Sequence, residues 1–300
     1  MTFAIETEGL TKYYGKVQGI ENLDMQVTEG EIFGFLGPNG SGKTTTIRLA
    51  MDLIRPTSGS SRVFGLDSRQ HSKEIHRRTG YLPAELGLYD ELTGAQMLTY
   101  SANIRGGVDW GFVRKIEEQL SADLSRPIRK LSTGNKHKIG IIHALMHQPE
   151  LLVLDEPTSG LDPLVQQEFY QIIENFRLEG RTVFLSSHNL PEVERMCDRV
   201  GIIRNGTLAA IENVEALKYK ALHHLELRFA APVPIESFSR LPVVYEATIE
   251  NAVIRCSVVG KVDTVIKAAA KFELVEIISH EPTLEDVFLA YYQQVEDHVS

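Results

Sequence analysis

Two cysteines in 300 residues, Cys197 and Cys256, are too few for a disulfide framework and stand at no metal-ligand spacing. They read as small buried side chains of a protein in a reducing compartment. Long apolar runs are also missing. The most apolar stretches, IGIIHALM at 139–146 and LLVL at 151–154, fall short of the ~20 residues that span a bilayer, and His143 and polar flanks interrupt them. The opening MTFAIETEGL carries acids and has neither a basic n-region nor an apolar h-region, so a secretory signal is not expected. The chain is expected not to cross a membrane, and work at one would require a partner that does. Basic excess is the third absence. With 31 Lys and Arg against 40 Asp and Glu the net charge is −9, which argues against broad contact with nucleic-acid phosphates.

What remains is an ordinary globular balance, 43% hydrophobic and 24% charged, in a chain long enough for one large domain or two ordinary ones. Residues 3–35 alternate apolar segments with glycine turns and read as strands, EIFGFL at 31–36 most clearly. After Lys43, TTTIRLAMDLI keeps Ile47, Ala50, Met51 and Ile54 on one face, which predicts a helix ending at Arg55-Pro56. A helical insertion follows over about residues 85–149. Thr93 caps one helix, Val113, Ile116 and Leu120 mark another, and a third runs from Lys136 to His147 before Gln148-Pro149. The core resumes with the buried strand LLVLD at 151–155. Asp162-Pro163 then starts a helix whose buried face is Phe169, Ile172, Ile173 and Phe176 and which stops at Gly180. RTVFLSSH is a further strand, and VGIIRNGTL a hairpin turning at Asn205-Gly206.

Past residue 217 the pattern becomes β-α-β-β-α-β, which predicts a small α+β, ferredoxin-like accessory domain at 218–300 behind a first domain at 1–217. A last helix, TLEDVFLAYYQQ, places Leu284, Val287, Phe288 and Tyr291 on one face.

The chemistry concentrates in three motifs. GPNGSGKT at 37–44 fits G-x-x-x-x-G-K-[ST] at every fixed position, between a strand and a helix. Gly37, Gly40 and Gly42 let backbone N–H groups turn toward α- and β-phosphates, with Pro38, Asn39, Ser41 and Thr45 completing the cradle. Lys43 is placed to reach the β- and γ-phosphates of ATP, and the Thr44 hydroxyl to ligate Mg²⁺. In LLVLDE, Asp155 can hold the same Mg²⁺ through water, and Glu156 can orient or deprotonate a water attacking the γ-phosphate. LSTGN at 131–135 puts Ser132 and the N–H of Gly134 just before a helix N-terminus, a second anion site. One globule already has its cradle, so the economical reading is that LSTGN serves a nucleotide held by a second copy.

With these motifs in this order, residues 3–215 resemble the nucleotide-binding subunit of an ABC transporter. The resemblance implies a P-loop NTPase (RecA-like) α/β core with a helical subdomain insertion and an antiparallel β region. It also implies a head-to-tail dimer, homo- or heteromeric, with two ATP at its interface. LSTGN matches the signature that completes the opposite subunit's site through Ser132, Gly134 and Asn135, with Thr133 for a glycine and Asn135 for a glutamine. Tyr14 in TKYYG matches the aromatic that stacks on adenine, ahead of Tyr13. Asp162 in SGLD matches the loop that communicates across the dimer, and His188 in SSHNL the histidine that meets the γ-phosphate. In GYLPAELGLY the family carries glutamine where this chain has Ala84, beside Glu85. Alanine neither ligates Mg²⁺ nor positions water, so one family contact is missing.

The stretches GYLPAELGLYDELTG, LSTGNKHK and EPTLEDVFL resemble subunits that power export of drugs, antibiotics, lipids or polysaccharides through a separate integral-membrane permease. The implied location is the cytoplasmic face of the membrane, with no nucleic-acid partner. Two other readings are an ABC ATPase acting on nucleic acid or ribosomes and an ATP-gated regulatory module. A small-molecule phosphotransferase would share GPNGSGKT but has no use for LSTGN.

Overall fold

A computed structural model describes residues 2–220, 222–259 and 261–280, and the segment TLEDVFLAYYQQ lies outside the described residues. The chain divides into two compact units, Met1–Glu212 and Asn213–Ser300. The composition shift alone places the divide at residue 217.

The first unit opens with a hairpin of β1 (Phe3–Tyr14) and β2 (Val17–Thr28), followed by β3 (Ile32–Leu36) and α1 (Lys43–Ala50). Next come β4 (Ser58–Val63), β5 (Leu66–Asp67), α2 (Ser72–Arg78) and β6 (Thr79–Leu82). Three helices follow, α3 (Gly94–Arg105), α4 (Trp110–Leu120) and α5 (Thr133–Leu145). The unit continues with β7 (Leu151–Asp155), α6 (Pro163–Leu178), β8 (Thr182–Ser187), α7 (Leu190–Met196), β9 (Arg199–Arg204) and β10 (Thr207–Asn213). Strands β2-β1-β4-β5 form an antiparallel sheet, and β10-β9-β3-β8-β7-β6 a second sheet whose pairs from β9 to β6 are parallel. Every residue of β3, β7 and β8 is buried, as near-continuous apolar runs require in a sheet covered on both faces. Phe33 and Phe184 stack at 5.8 Å across β3 and β8. Each such side chain fully removed from water contributes about 1.5–3 kcal/mol.

Helix ends show where local chemistry overrides periodicity. Helix α1 stops at Ala50, short of the expected Arg55-Pro56. Asp52 turns left-handed (φ 53°), its N–H bonds Leu49 O at 3.1 Å, and Leu53 N–H reaches back to Arg48 O at 2.8 Å. This closes the last carbonyls in a Schellman arrangement. Ile54 still packs against the core from the loop. Helix α5 begins at Thr133, three residues ahead of the expected Lys136, because Ser132 is its N-cap and accepts the Asn135 N–H at 3.2 Å. Thr93 and Gln96 form a capping box at the head of α3. Asp162 caps α6 by accepting from Leu164 and Val165 N–H, and that helix closes at Gly180.

The second unit contains α8 (Val214–Lys220), β11 (Leu222–Phe229), α9 (Glu236–Ser239), β12 (Val244–Glu250), β13 (Val253–Val259), α10 (Asp263–Ala269) and β14 (Leu274–His280). Its sheet is antiparallel in the order β12-β13-β11-β14. Alternation on β11 sends Leu225, Leu227 and Phe229 into a core with Phe238 of α9 and Val265 of α10. The opposite face carries ion pairs, Glu226–Arg255 at 2.9 Å and Arg228–Glu276 at 2.8 Å. Among the described residues, no helix is long and apolar enough to cross a membrane. Both cysteines are buried and free.

His147, just beyond α5, gives a pH prediction for the first unit. Burial, then the nearby Arg105 charge, bring its pKa from 6.5 down to about 4, while its Nε2 bonds Thr79 O at 3.1 Å. The folded value lies below the unfolded one, so the unfolded chain binds the extra proton. The stability contributed by neutral His147 is complete above pH 6.5 and is lost as pH falls toward 4. Thermal melts should show a falling Tm over that window, with a shallower fall in His147→Asn. An equally steep fall in that variant contradicts the assignment.

Candidate active site

The parallel register sets which loops meet. Leu36 pairs with Ser187, Asp155 with Ser186, and Leu82 with Leu154, so the loops after β3, β8, β7 and β6 leave the sheet along one edge. Ligands of open parallel sheets bind at such carboxyl ends.

GPNGSGKT fills the β3 loop. A methyl group on Gly37 would stand 2.4 Å from Ile203 O and 2.6 Å from Ser41 Oγ, and one on Gly42 (φ 111°) 2.5 Å from Ile20 Cγ2. Both positions therefore exclude side chains, and the backbone of the loop stays bare. Gly40, Pro38 and Asn39 form its rim. Helix α1 receives no side-chain cap and has no acid in its first turn, so the N–H groups of Lys43, Thr44 and Thr45 present an uncompensated positive end to the loop. Ser41 Oγ is buried without a hydrogen-bond partner.

The buried Lys43 ammonium donates to Gly37 O at 2.6 Å and Pro38 O at 3.3 Å, and stands 3.3 Å from Glu156 Oε1. Glu156 Oε2 lies 2.7 Å from His188 Nδ1. One carboxylate thus bridges a lysine from the β3 loop and a histidine from the end of β8. Glu156 holds this place with φ 54°, a left-handed conformation uncommon for a non-glycine residue, and its N–H is secured to Ser186 O at 3.1 Å. Asp155, fully buried, accepts from Thr44 Oγ1 at 2.8 Å and from Ser186 Oγ. A hydroxyl and a carboxylate at this spacing are the hard oxygen donors suited to Mg²⁺, and no cluster of three or more His, Cys, Asp or Glu competes for a metal among the described residues.

Tyr14, at the hairpin tip, is 48% exposed and its ring covers Gly19, whose carbonyl borders Gly42. The loop and this half-exposed ring, with the Lys12 ammonium over it at 5.2 Å, are therefore neighbours. Tyr13 is committed instead to Glu21 Oε1, at 2.8 Å.

The signature turn and the start of α5 pack on the loop that follows Glu156. A methyl on Gly134 would meet Gly160 O at 3.0 Å, and His137 Nε2 lies 2.6 Å from Pro157 O. Burial lowers the pKa of His137, which favours the neutral ring. LSTGN is thus fixed to its own chain's loop between Glu156 and Asp162, while the atoms bordering Gly37 and Gly42 come from Gly19, Ile20, Ser41 and Ile203. Asn135 has no free amide. Its Oδ1 accepts the Asp123 N–H and its Nδ2 donates to Asp123 O, each at 2.8 Å, so the side chain holds the turn in place. Ala84 and Glu85 are exposed just beyond β6, and the same loop rests on α5 where Leu86 covers Gly140.

The structure brings Lys43, Thr44, Asp155, Glu156 and His188 into one cluster and carries Tyr14 beside it. It sets Thr133 and Gly134 against Gly160, while Ser132 caps α5. Sequence reasoning passed over Ser186, His137 and Glu192. Ser186 stands in SSH next to a recognised motif, whereas His137 and Glu192 reveal themselves only through burial.

A family model described as ABC transporter matches residues 20–159. The chain is 40% identical over 233 residues to the bacitracin transport ATP-binding protein BcrA of Bacillus licheniformis, covering 77% of this chain and 76% of that protein. Its counterpart in Enterococcus faecalis is 35% identical over 265 residues, covering 85% and 84%. A solved ATP binding subunit of an ABC transporter superposes with a TM-score of 0.66 at 29% identity, over 72% of this chain and 92% of that one. Neither a nucleic-acid role nor a purely regulatory one finds support among these relatives. The chain belongs to the ABC transporter family, as one of its ATP-binding, ATP-hydrolysing subunits.

Proposed function

We propose that this subunit hydrolyses Mg²⁺-bound ATP in a site shared between two copies and thereby drives a separate integral-membrane permease, for export, from the cytoplasmic face of the membrane. The observation that supports this reading is that the nearest atoms around Gly37 and Gly42 come from Gly19, Ile20, Ser41 and Ile203 and none from the signature turn, which lies against Gly160 of its own chain. A phosphate-reading turn placed in this way is available to a nucleotide on a second copy, identical or related. Nothing in the acidic chain favours a nucleic-acid partner.

In this reading the loop N–H groups and Lys43 hold the phosphates, and Tyr14 stacks on adenine. Thr44 and Asp155 would hold Mg²⁺, which supplies charge neutralisation at the phosphate oxygens. Glu156 orients the attacking water and takes its proton, and His188 fixes the free side of that carboxylate. Ser132 and the Gly134 N–H face the partner copy's γ-phosphate, and Asp162 shapes the loop between the two sites. Loss of the γ-phosphate removes the charge that holds the copies together. Residues 218–300 act as an accessory domain. Export is supported by the motif resemblance and by the bacitracin transport proteins among the relatives.

Ala84 makes the β6 loop a mechanical link rather than a ligand. Ala84→Gln should change basal ATP turnover by less than about tenfold, and a hundredfold rise contradicts this assignment. The reading as a whole is tested in vesicles containing the permease. ATP-dependent cargo movement should require this subunit and disappear with Glu156→Gln, and equal movement without ATP overturns it.

A further inference from the structure

Glu192, the third residue of α7, is 2% exposed, and its carboxyl meets hydroxyls rather than a cation. Its Oε2 accepts the Ser187 hydroxyl at 2.6 Å, the Thr158 hydroxyl faces the same carboxyl, and Oε1 completes no hydrogen bond. Burial pushes its pKa above the usual carboxylate value, against the pull of the two hydroxyls. A buried carboxyl of this kind is costly unless the fold needs it.

Its partners show what it serves. Ser187 Oγ also accepts the Asn189 N–H at 2.9 Å, so Ser187 and Asn189 close a turn with His188 at its tip. Thr158 follows Glu156 by two residues, in the loop that leaves β7. The Ser159 N–H returns to Glu156 O at 3.2 Å and binds that loop to the strained glutamate. Glu192 therefore reaches both backbone segments that carry the Glu156–His188 contact, from the side away from solvent. Tyr170 of α6 and Cys197 beyond α7 feel its charge.

We propose that Glu192 is a positioning residue for ATP hydrolysis, which holds the His188 turn and the loop after Glu156 in register through Ser187 and Thr158. The inference rests on the reading of Glu156 and His188 as the groups that manage the attacking water. Misplacement by an ångström at a reacting centre costs on the order of a hundredfold, whereas the link from this turn to the phosphate loop is a backbone bond, Gly37 N–H to Ser187 O at 3.4 Å, which a side-chain change at Glu192 leaves in place.

The test is steady-state ATPase on the full chain. Glu192→Ala should lower kcat about ten- to a hundredfold with KM for ATP within about twofold. Glu192→Gln keeps a carbonyl oxygen for the Ser187 hydroxyl and should recover most of that loss. Ser187→Ala should lower kcat in the same way, and the double variant Ser187→Ala/Glu192→Ala should be no worse than the worse single one, since both cut one link. Should Glu192→Ala fail to fold, Ser187→Ala and Glu192→Gln still decide. The proposal is overturned by wild-type kcat in Ser187→Ala, by KM rising in parallel with falling kcat, by additive losses, or by Glu192→Gln as impaired as alanine. Glu156→Gln and His188→Ala assayed alongside separate the two claims. If they retain turnover, the underlying reading fails; if they lose it while Glu192→Ala does not, only this inference fails.

Discussion

Glu156→Gln should reduce ATP turnover by about 10²–10³ while ATP binding persists. Glutamine has the shape of glutamate and can occupy the left-handed backbone position (φ 54°) at the same cost. It cannot accept a proton from water, and it ends the ion pair at 3.3 Å with Lys43. Lys43 keeps its bonds to Gly37 O and Pro38 O, so the cradle retains its form. The expected result is slow phosphate release beside near-normal nucleotide affinity. Turnover within a few-fold of the parent would remove Glu156 from the chemistry and leave the strained backbone without a functional explanation.

Lys43→Met is expected to act one step earlier, on binding. Lys43 is 5% exposed, and its ammonium is the cation paired with Oε1 of Glu156. Removing one member of a buried charge pair costs about 2–5 kcal/mol, much of it from the partner left behind. Here Glu156 Oε1 has no hydrogen-bond partner to fall back on. The pair that Lys43 would form with the phosphates of ATP is of the same kind, so ATP affinity should fall about thirtyfold to several-thousandfold by calorimetry. A Kd within about threefold of the parent contradicts the assignment of Lys43 to the phosphates.

The two expectations differ because the site has two layers, and only one was legible residue by residue. The phosphate loop, LLVLDE and SSHNL are local: a strand, a bare glycine turn and a charged residue at a strand end are written in consecutive positions. Helix starts were legible where the capping chemistry is explicit, as at Thr93 and Asp162. They are obscured where it hides inside a motif, as at Ser132, whose hydroxyl caps α5 from within LSTGN. The stop of α1 was missed because an aspartate rather than a glycine adopts the left-handed position at residue 52. What the sequence could not show is pairing across long separations. Asn135 with Asp123, His137 with Pro157, and Glu192 with Ser187 and Thr158 are contacts chosen by the packed sheet and helices, and no spacing rule announces them. Those supports decide where the legible residues stand.

Asn135 shows how the departures from the family pattern divide. Its amide is spent on the Asp123 backbone, so the exchange of glutamine for asparagine falls on a residue that braces the turn. Ser132 and Gly134, the residues proposed to read the anion, stand unchanged at the head of α5. Ala84 is different: it stands exposed beside Glu85 just beyond β6, and its methyl group has nothing to offer a metal or a water.

The shared site is tested most directly by the mass of the Glu156→Gln chain in solution, measured by light scattering with and without Mg²⁺ and ATP. The expected result is a single chain without nucleotide and a doubled mass with it, returned to the single mass when Ser132→Arg is added to block the signature turn. A mass that stays single in saturating ATP contradicts the claim that one copy completes the other's site.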